Sequence, residues 1–316
     1  MKILYIDPAV RSATSAKYRY YDGVFDQLVK MHDVRLFQGV ATDINQILDR
    51  TNFTPDAIIF GIGWFGKAKY FGKIENLNVP TICFLYKPQN DLEQKFNFCR
   101  INDIDLIVTP IPTYYEFEKA TGVKTALFPF GFDPEFFHPR AEISKEYGIG
   151  FSGALHQSIL YPNDSFQVQN LRPQMGKILQ DIKDVNVFWK SSDDASKAFI
   201  NSYEEYAQTI NKSQMWLATL AAFGDVTPRY YEVLGSGTLL FCQKIPDTYK
   251  FLLKGGENCI EFNDDLSDFE EKIISYLQHP EEIKRITSNA INFFHNNWTW
   301  NHRAHKMVEL IEDIMK

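Results

Sequence analysis

The stretch of this 316-residue chain best equipped for chemistry is Gly224-Asp225-Val226-Thr227-Pro228-Arg229-Tyr230-Tyr231-Glu232-Val233-Leu234-Gly235-Ser236-Gly237-Thr238. Both of its ends carry helix signals. Thr227 suits the N-cap, and Pro228 suits the first helical position, where its missing N–H would have no intrahelical partner anyway. Gly235 or Gly237 can take the left-handed conformation that stops a helix. A helix N-terminus presents unpaired N–H groups and partial positive charge. Arg229 in the first turn adds a full charge, and the combination matches a diphosphate. Glu232 follows one turn later on the same face, where a carboxylate can accept hydrogen bonds from two ribose hydroxyls. The same spacing also fits an exposed ion pair without a ligand, worth about 0.2–0.5 kcal/mol.

Other candidates lie on either side. Ser152 and Gly153 follow a predicted strand, so backbone N–H groups there can approach phosphate or simply form a tight turn. His156 follows closely, as a phosphate or sugar contact or as a solvated loop histidine. Lys190 comes after a predicted strand ending at Trp189, at the carboxyl edge where open α/β sheets bind ligands. In the first half, Gly61-Ile62-Gly63-Trp64-Phe65-Gly66 formally spells a dinucleotide-binding turn. It follows the third predicted strand instead of the first, carries bulky Trp64 and Phe65, and has no ribose-binding acid at Tyr86-Lys87, so a loop lining a cleft is expected. Trp64, Phe65, Tyr70 and Phe71 could stack on a sugar acceptor or pack internally. Asp7 and Asp91 are the carboxylates placed to act as a general base, Asp7 preferred; each also fits a turn or helix cap.

These residues need a scaffold, and the chain's rhythm supplies one. Short β-branched or aromatic runs at Ile3–Ile6, Val34–Phe37, Ala57–Phe60, Thr81–Leu85 and Leu106–Val108 alternate with helical periodicity at Lys17–Met31, Ile44–Arg50 and Leu92–Arg100. That alternation predicts a parallel sheet of βαβ units. Prolines and a glycine in Phe128–Pro139 mark a boundary, after which the pattern restarts: strands at Ile149–Gly153, Val185–Trp189, Met215–Leu220 and Thr238–Cys242, and helices at Gln169–Ile182, Pro228–Leu234, Leu266–Gln278 and Asn301–Lys316. The expected domains are 1–138, 139–298 and a last helix, 299–316, returning to the first. A formal charge of −7 argues against nucleic acid as partner. The four cysteines show no C-x-x-C spacing and read as reduced core residues. No run approaches the ~20 apolar residues of a membrane span, so a cytoplasmic protein is expected.

The Gly224–Thr238 stretch resembles the donor-binding motif of GT-B glycosyltransferases, in which a proline-containing loop precedes a glutamate-bearing helix closed by small residues. The Arg229-x-x-Glu232 form resembles spore-maturation CgeB-type glycosyltransferase-like proteins. Ile149–Gly153 resembles the first strand and glycine turn of the family's second domain, and Phe130–Phe137 the segment entering it. The resemblance covers roughly the last 190 residues. It implies an α/β GT-B fold: two Rossmann-like domains facing across a cleft, the first for acceptor, the second for a sugar nucleotide, with the C-terminal helix crossing back. It implies transfer of a sugar from a nucleoside diphosphate sugar to an unidentified acceptor, with no required metal or cofactor. Glu232 would bind ribose, and Arg229 would face the diphosphate and aid catalysis. Ser152, Gly153, His156, Lys190, Asp225, Thr227 and Tyr230 complete the expected donor-binding set, and Asp7 is the expected base. The family's sugar-contacting acid would fall at Gly224, beside Asp225. A sugar-nucleotide epimerase or a noncatalytic binding scaffold are the alternatives.

Overall fold

The computed structural model describes residues 1–7, 16–39, 41, 43–61, 78–86, 91–156, 171–200, 202–221 and 224–316, with 16–22 and 195 described as backbone only. The glycine turn beyond Gly61 and the aromatic residues Trp64, Phe65, Tyr70 and Phe71 lie outside the described residues. The chain forms two compact units, Met1–Phe130 with Trp300–Lys316, and Gly131–Thr299. The division falls between Phe130 and Gly131, inside the proline-marked Phe128–Pro139 segment.

The first unit contains β1 (Lys2–Ile6), α1 (Ala16–Met31), β2 (Asp33–Phe37), α2 (Ile44–Thr51), β3 (Ala57–Phe60), β4 (Thr81–Phe84), α3 (Leu92–Ile101), β5 (Leu106–Thr109), α4 (Tyr114–Thr121) and β6 (Thr125–Leu127). The strands form one parallel sheet in the order β2-β1-β3-β4-β5-β6. Every residue of β3, β4 and β5 is buried, as expected for parallel strands covered on both faces. Asp43 caps α2 by accepting from the Gln46 N–H at 3.1 Å, and Asn52 ends that helix in the left-handed conformation.

The second unit contains β7 (Tyr147–Ala154), α5 (Leu171–Asp181), β8 (Val187–Ser192), α6 (Ala195–Ala198), α7 (Tyr203–Asn211), β9 (Ser213–Ala218), α8 (Pro228–Gly235), β10 (Leu239–Gln243), β11 (Ile260–Phe262), α9 (Phe269–Gln278) and α10 (Pro280–Asn297). Its sheet is also parallel, in the order β11-β10-β9-β7-β8. In both sheets the first strand lies between the second and the third. The topological switch points therefore fall between β1 and β3 and between β7 and β9, where open α/β sheets place their ligands. Sequence periodicity does not mark α4, α6, α7, α10, β6 or β11; the two strands are only three residues long. Two strands run further than expected. β7 continues through Ala154, so Ser152 and Gly153 are strand residues and not a turn after one. β8 reaches Ser192, so Lys190 lies inside it.

The last helix, α11 (Trp300–Met315), belongs to the first unit and packs on α1. Gly23 makes this approach possible: a Cβ there would lie 2.1 Å from Cδ1 of the buried Trp300 indole. In an isolated helix Gly→Ala stabilises by about 1 kcal/mol. Here overpacking should outweigh that gain, so Gly23→Ala is expected to destabilise the protein by about 1–3 kcal/mol in urea unfolding. A raised midpoint would show that the indole swings aside without cost.

Candidate functional site

The site is built where β7 and β9 part. The last paired residues of the two strands are Gly150 and Trp216, whereas β7 stays paired with β8 as far as Ala154 and Ser192. Beyond Gly150 the β9-facing carbonyls of β7 therefore need other donors. Two arginines supply them. Arg229, in the first turn of α8, donates from Nη2 to the Ser152 carbonyl at 2.6 Å. Arg172, in the first turn of α5, donates from Nη1 to the Ala154 carbonyl at 2.9 Å. Arg172 also donates from Nε and Nη2 to Thr219 Oγ1, just past β9, at 3.1 and 3.0 Å, so it spans the gap between the strands. Both guanidinium carbons lie over the Phe151 ring, at 5.3 Å for Arg229 and 5.5 Å for Arg172. Gly153, at φ +153°, keeps the strand end clear: a Cβ there would lie 3.3 Å from Arg229 Nη2. Two positive charges thus meet at one strand end. The sequence analysis missed Arg172, whose one local signal is its place at the start of a predicted helix.

Helix α8 forms as its punctuation predicts, with a difference at its cap. Thr227 has the extended N-cap backbone, φ −97° and ψ 165°, but its side chain makes no capping hydrogen bond. Ser236 is the C-cap, and Gly237 follows at φ +70°, so Gly237 and not Gly235 takes the left-handed position.

Glu232 is 1% exposed. Its Oε1 accepts from the Tyr203 hydroxyl at 3.5 Å, and Tyr206 and Arg229 are its other polar neighbours. Its Oε2 is buried without a hydrogen-bond partner. Burial pushes the carboxyl up to about 8, against the opposing pull of Arg229 and the two tyrosines. Tyr230 is fully buried in the core, with its hydroxyl unpaired and raised well above its ordinary value by burial. Asp225 is half-buried; it accepts from the Tyr249 hydroxyl at 3.3 Å, and burial raises its carboxyl to about 6.

The remaining expected residues are less converged. His156 Nδ1 pairs with Asp193 at 2.6 Å on the surface. Lys190 is half-buried in β8, in register with Ser152. Asp7 lies in the first unit, buried at the end of β1, its N–H bonded to the Phe37 carbonyl at 3.1 Å. The carboxyl of Asp7 rests against Gly61, where a Cβ would stand 2.6 Å from Oδ2. Asp91 occupies the N-cap position of α3 without a side-chain capping bond.

The Glu232 shift has a stability consequence. Its folded value lies above its unfolded one, so between roughly pH 4.5 and 8 the folded protein holds a proton that the unfolded chain releases, and stability falls as pH rises through that window. Glu232→Gln removes this dependence. In urea unfolding, the stability of the variant relative to the native protein should rise by about 2–3 kcal/mol from pH 5 to pH 7. A difference that stays constant with pH would show that the buried carboxyl is ionised throughout.

Residues 175–309 match a family model described as glycosyl transferase-like. No curated protein matches the chain. Among solved structures it is similar to sucrose-phosphate synthase from Thermosynechococcus elongatus, at 11% identity and TM-score 0.65, with 99% of each chain covered. It is similar to HepE from Anabaena in complex with UDP-glucose, at 12% identity and TM-score 0.60, covering 99% of this chain and 100% of that one. A glycosyltransferase from Rickettsia africae aligns at 12% identity and TM-score 0.57, over 100% of this chain and 98% of the other. Among the described residues, no helix is long and apolar enough to cross a membrane. The chain thus has the GT-B fold, with two parallel Rossmann-like sheets, and residues 175–309 of its second half are similar to the glycosyl transferase-like family.

Proposed function

We propose that the chain is a nucleotide-sugar-dependent glycosyltransferase whose second unit binds the nucleoside diphosphate sugar where β7 and β9 part. The observation that carries this reading is the pair of guanidiniums, Arg172 and Arg229, on one strand end beside the N-terminus of α8. Guanidinium–phosphate hydrogen bonds are charge-assisted and can be bidentate, and a helix N-terminus favours the same charge. HepE, which shares the fold, has been solved with UDP-glucose.

In the transfer, the bond between the sugar's anomeric carbon and the diphosphate oxygen breaks, with the electron pair leaving on the diphosphate. An acceptor oxygen forms the new bond to that carbon and gives up its proton. Arg172 and Arg229 stabilise the charge that grows on the leaving group, which is the kind of electrostatic help that contributes most to such reactions. Asp7, at the carboxyl end of β1, takes the acceptor's proton. Among the other expected contacts, Ser152 and Gly153 serve through their backbone as the seat of Arg229, and Lys190 and His156 lie at the margin of the same strand end.

Calorimetric titration with UDP, GDP, ADP and dTDP tests the donor site. One nucleotide should bind at micromolar affinity, and Arg172→Ala and Arg229→Ala should each weaken it about tenfold or more. Absence of binding to all four overturns the reading. For the base, Asp7→Asn should lower kcat about 10²–10⁴-fold while leaving donor affinity unchanged; retained turnover would remove Asp7 from the mechanism.

A further inference from the structure

Thr219 opens the loop that joins β9 to α8, one residue past the end of β9, and it is buried. Its hydroxyl oxygen is shared by two donors of one guanidinium. Arg172 reaches it from Nε at 3.1 Å and from Nη2 at 3.0 Å, while Nη1 reaches the Ala154 carbonyl at 2.9 Å. A guanidinium is a rigid planar fork, so three N–H groups bound on two sides fix its plane as well as its position. The Phe151 ring lies 5.5 Å from the same group, and Arg172 is itself buried. The threonine is held in turn through the backbone beside it. Gln243, at the end of β10, accepts the Leu220 N–H on Oε1 at 3.2 Å and is braced by donating to Asp264 at 3.0 Å. The far end of the same loop leads into Arg229, whose Nη2 donates to the Ser152 carbonyl at 2.6 Å.

We propose that Thr219 is a positioning residue for the donor site: its hydroxyl oxygen sets the orientation of the Arg172 guanidinium across the gap between β7 and β9, and through it the affinity for a nucleoside diphosphate. The idea rests on the donor-site reading above, in which Arg172 meets the diphosphate. An arginine that grips an anion gives up rotamer freedom, and one whose plane is already fixed gives up less on binding. A threonine is well made for this task. Its oxygen can accept two hydrogen bonds, and its branched Cβ restricts the rotation that would carry that oxygen away. A carboxylate at the same place would hold the fork as well but would offset its charge, which a diphosphate needs. The Thr219 oxygen and the Ala154 carbonyl orient the guanidinium without doing so.

The test is a double-mutant cycle read by calorimetric titration with the nucleoside diphosphate that the native protein selects. Thr219→Val removes the oxygen, keeps the branched shape, and should weaken binding about tenfold. Thr219→Ser keeps the oxygen and should bind within about threefold of native. In an Arg172→Ala background, Thr219→Val should cost no further affinity, because the threonine acts only through that side chain. Native affinity in Thr219→Val, an equal loss in Thr219→Ser, or a loss as large in the Arg172→Ala background overturns the proposal. Thr219→Ala removes the same oxygen and takes the place of the valine if that variant does not fold. A ligand-free crystal structure of the folded variant should show the Arg172 guanidinium turned away from the Ala154 carbonyl; an unmoved guanidinium overturns the proposal. If the native protein binds no nucleoside diphosphate, the donor reading fails by itself, and this crystallographic comparison still decides whether Thr219 sets Arg172.

Discussion

The separation of β9 from β7 after Trp216 and Gly150 is the constraint on which the rest of the second unit's site depends. A parallel ladder satisfies its carbonyls only while the neighbouring strand runs alongside, and a sheet whose first strand lies between its second and third must lose that neighbour at the switch point. Alternate residues of a strand face alternate sides. Ser152 and Ala154 therefore look toward the gap, while Gly153 looks toward β8, where its carbonyl accepts from Ser191 Oγ at 2.9 Å. Arg229 and Arg172 fill the gap and leave two like charges close to one Phe151 ring. The ring's π face offsets part of the cost of this arrangement, and an anion would offset more. A structural need of the sheet and a binding capacity thus come from the same two side chains.

Holding cations there requires tolerance in the backbone below them. Gly150 lets the Trp216 indole lie against β7, where a Cβ would stand 2.5 Å from the ring, and Gly153 leaves room for Arg229. Tyr203 and Tyr206 of α7 line the other side, Tyr203 donating to Glu232 at 3.5 Å. Their hydroxyls are among the few polar groups in an otherwise aromatic layer formed by Phe136, Phe137 and Trp216. In such surroundings a carboxyl is more stable neutral than charged, even one turn from an arginine.

Features encoded over a few residues were legible in the sequence. The alternation of strands and helices gave both sheets, and Thr227, Pro228 and Gly237 bracketed α8 because helix ends are chosen by local backbone geometry. Features that depend on distant partners were not. Arg172 matters through Ala154 and Thr219, residues 18 and 47 positions away, and nothing near it in the chain announces that. Tyr230 sits beside Arg229 in sequence but points into the core, since neighbouring positions on a helix diverge by about 100°. Lys190 and the Ser152-Gly153 pair were placed after strands that prove longer, a shift that periodicity alone does not resolve. Glu232 was found, but spacing carries no information about the aromatic cover that encloses it.

The loop that delivers α8 to the strand end is itself fixed from the β10 side. Gln243, the last residue of β10, accepts the Leu220 N–H on its Oε1 at 3.2 Å and donates to Asp264 at 3.0 Å. The Asp225 carbonyl accepts from the Ala221 N–H at 2.8 Å, while its carboxyl is held by Tyr249. Asp225 therefore spends its side chain on anchoring the turn. Gly224, at φ +73°, provides the backbone conformation that turn requires and has no side chain to offer. With a turn-forming glycine at this position, what this loop fixes most firmly is the approach of Arg229.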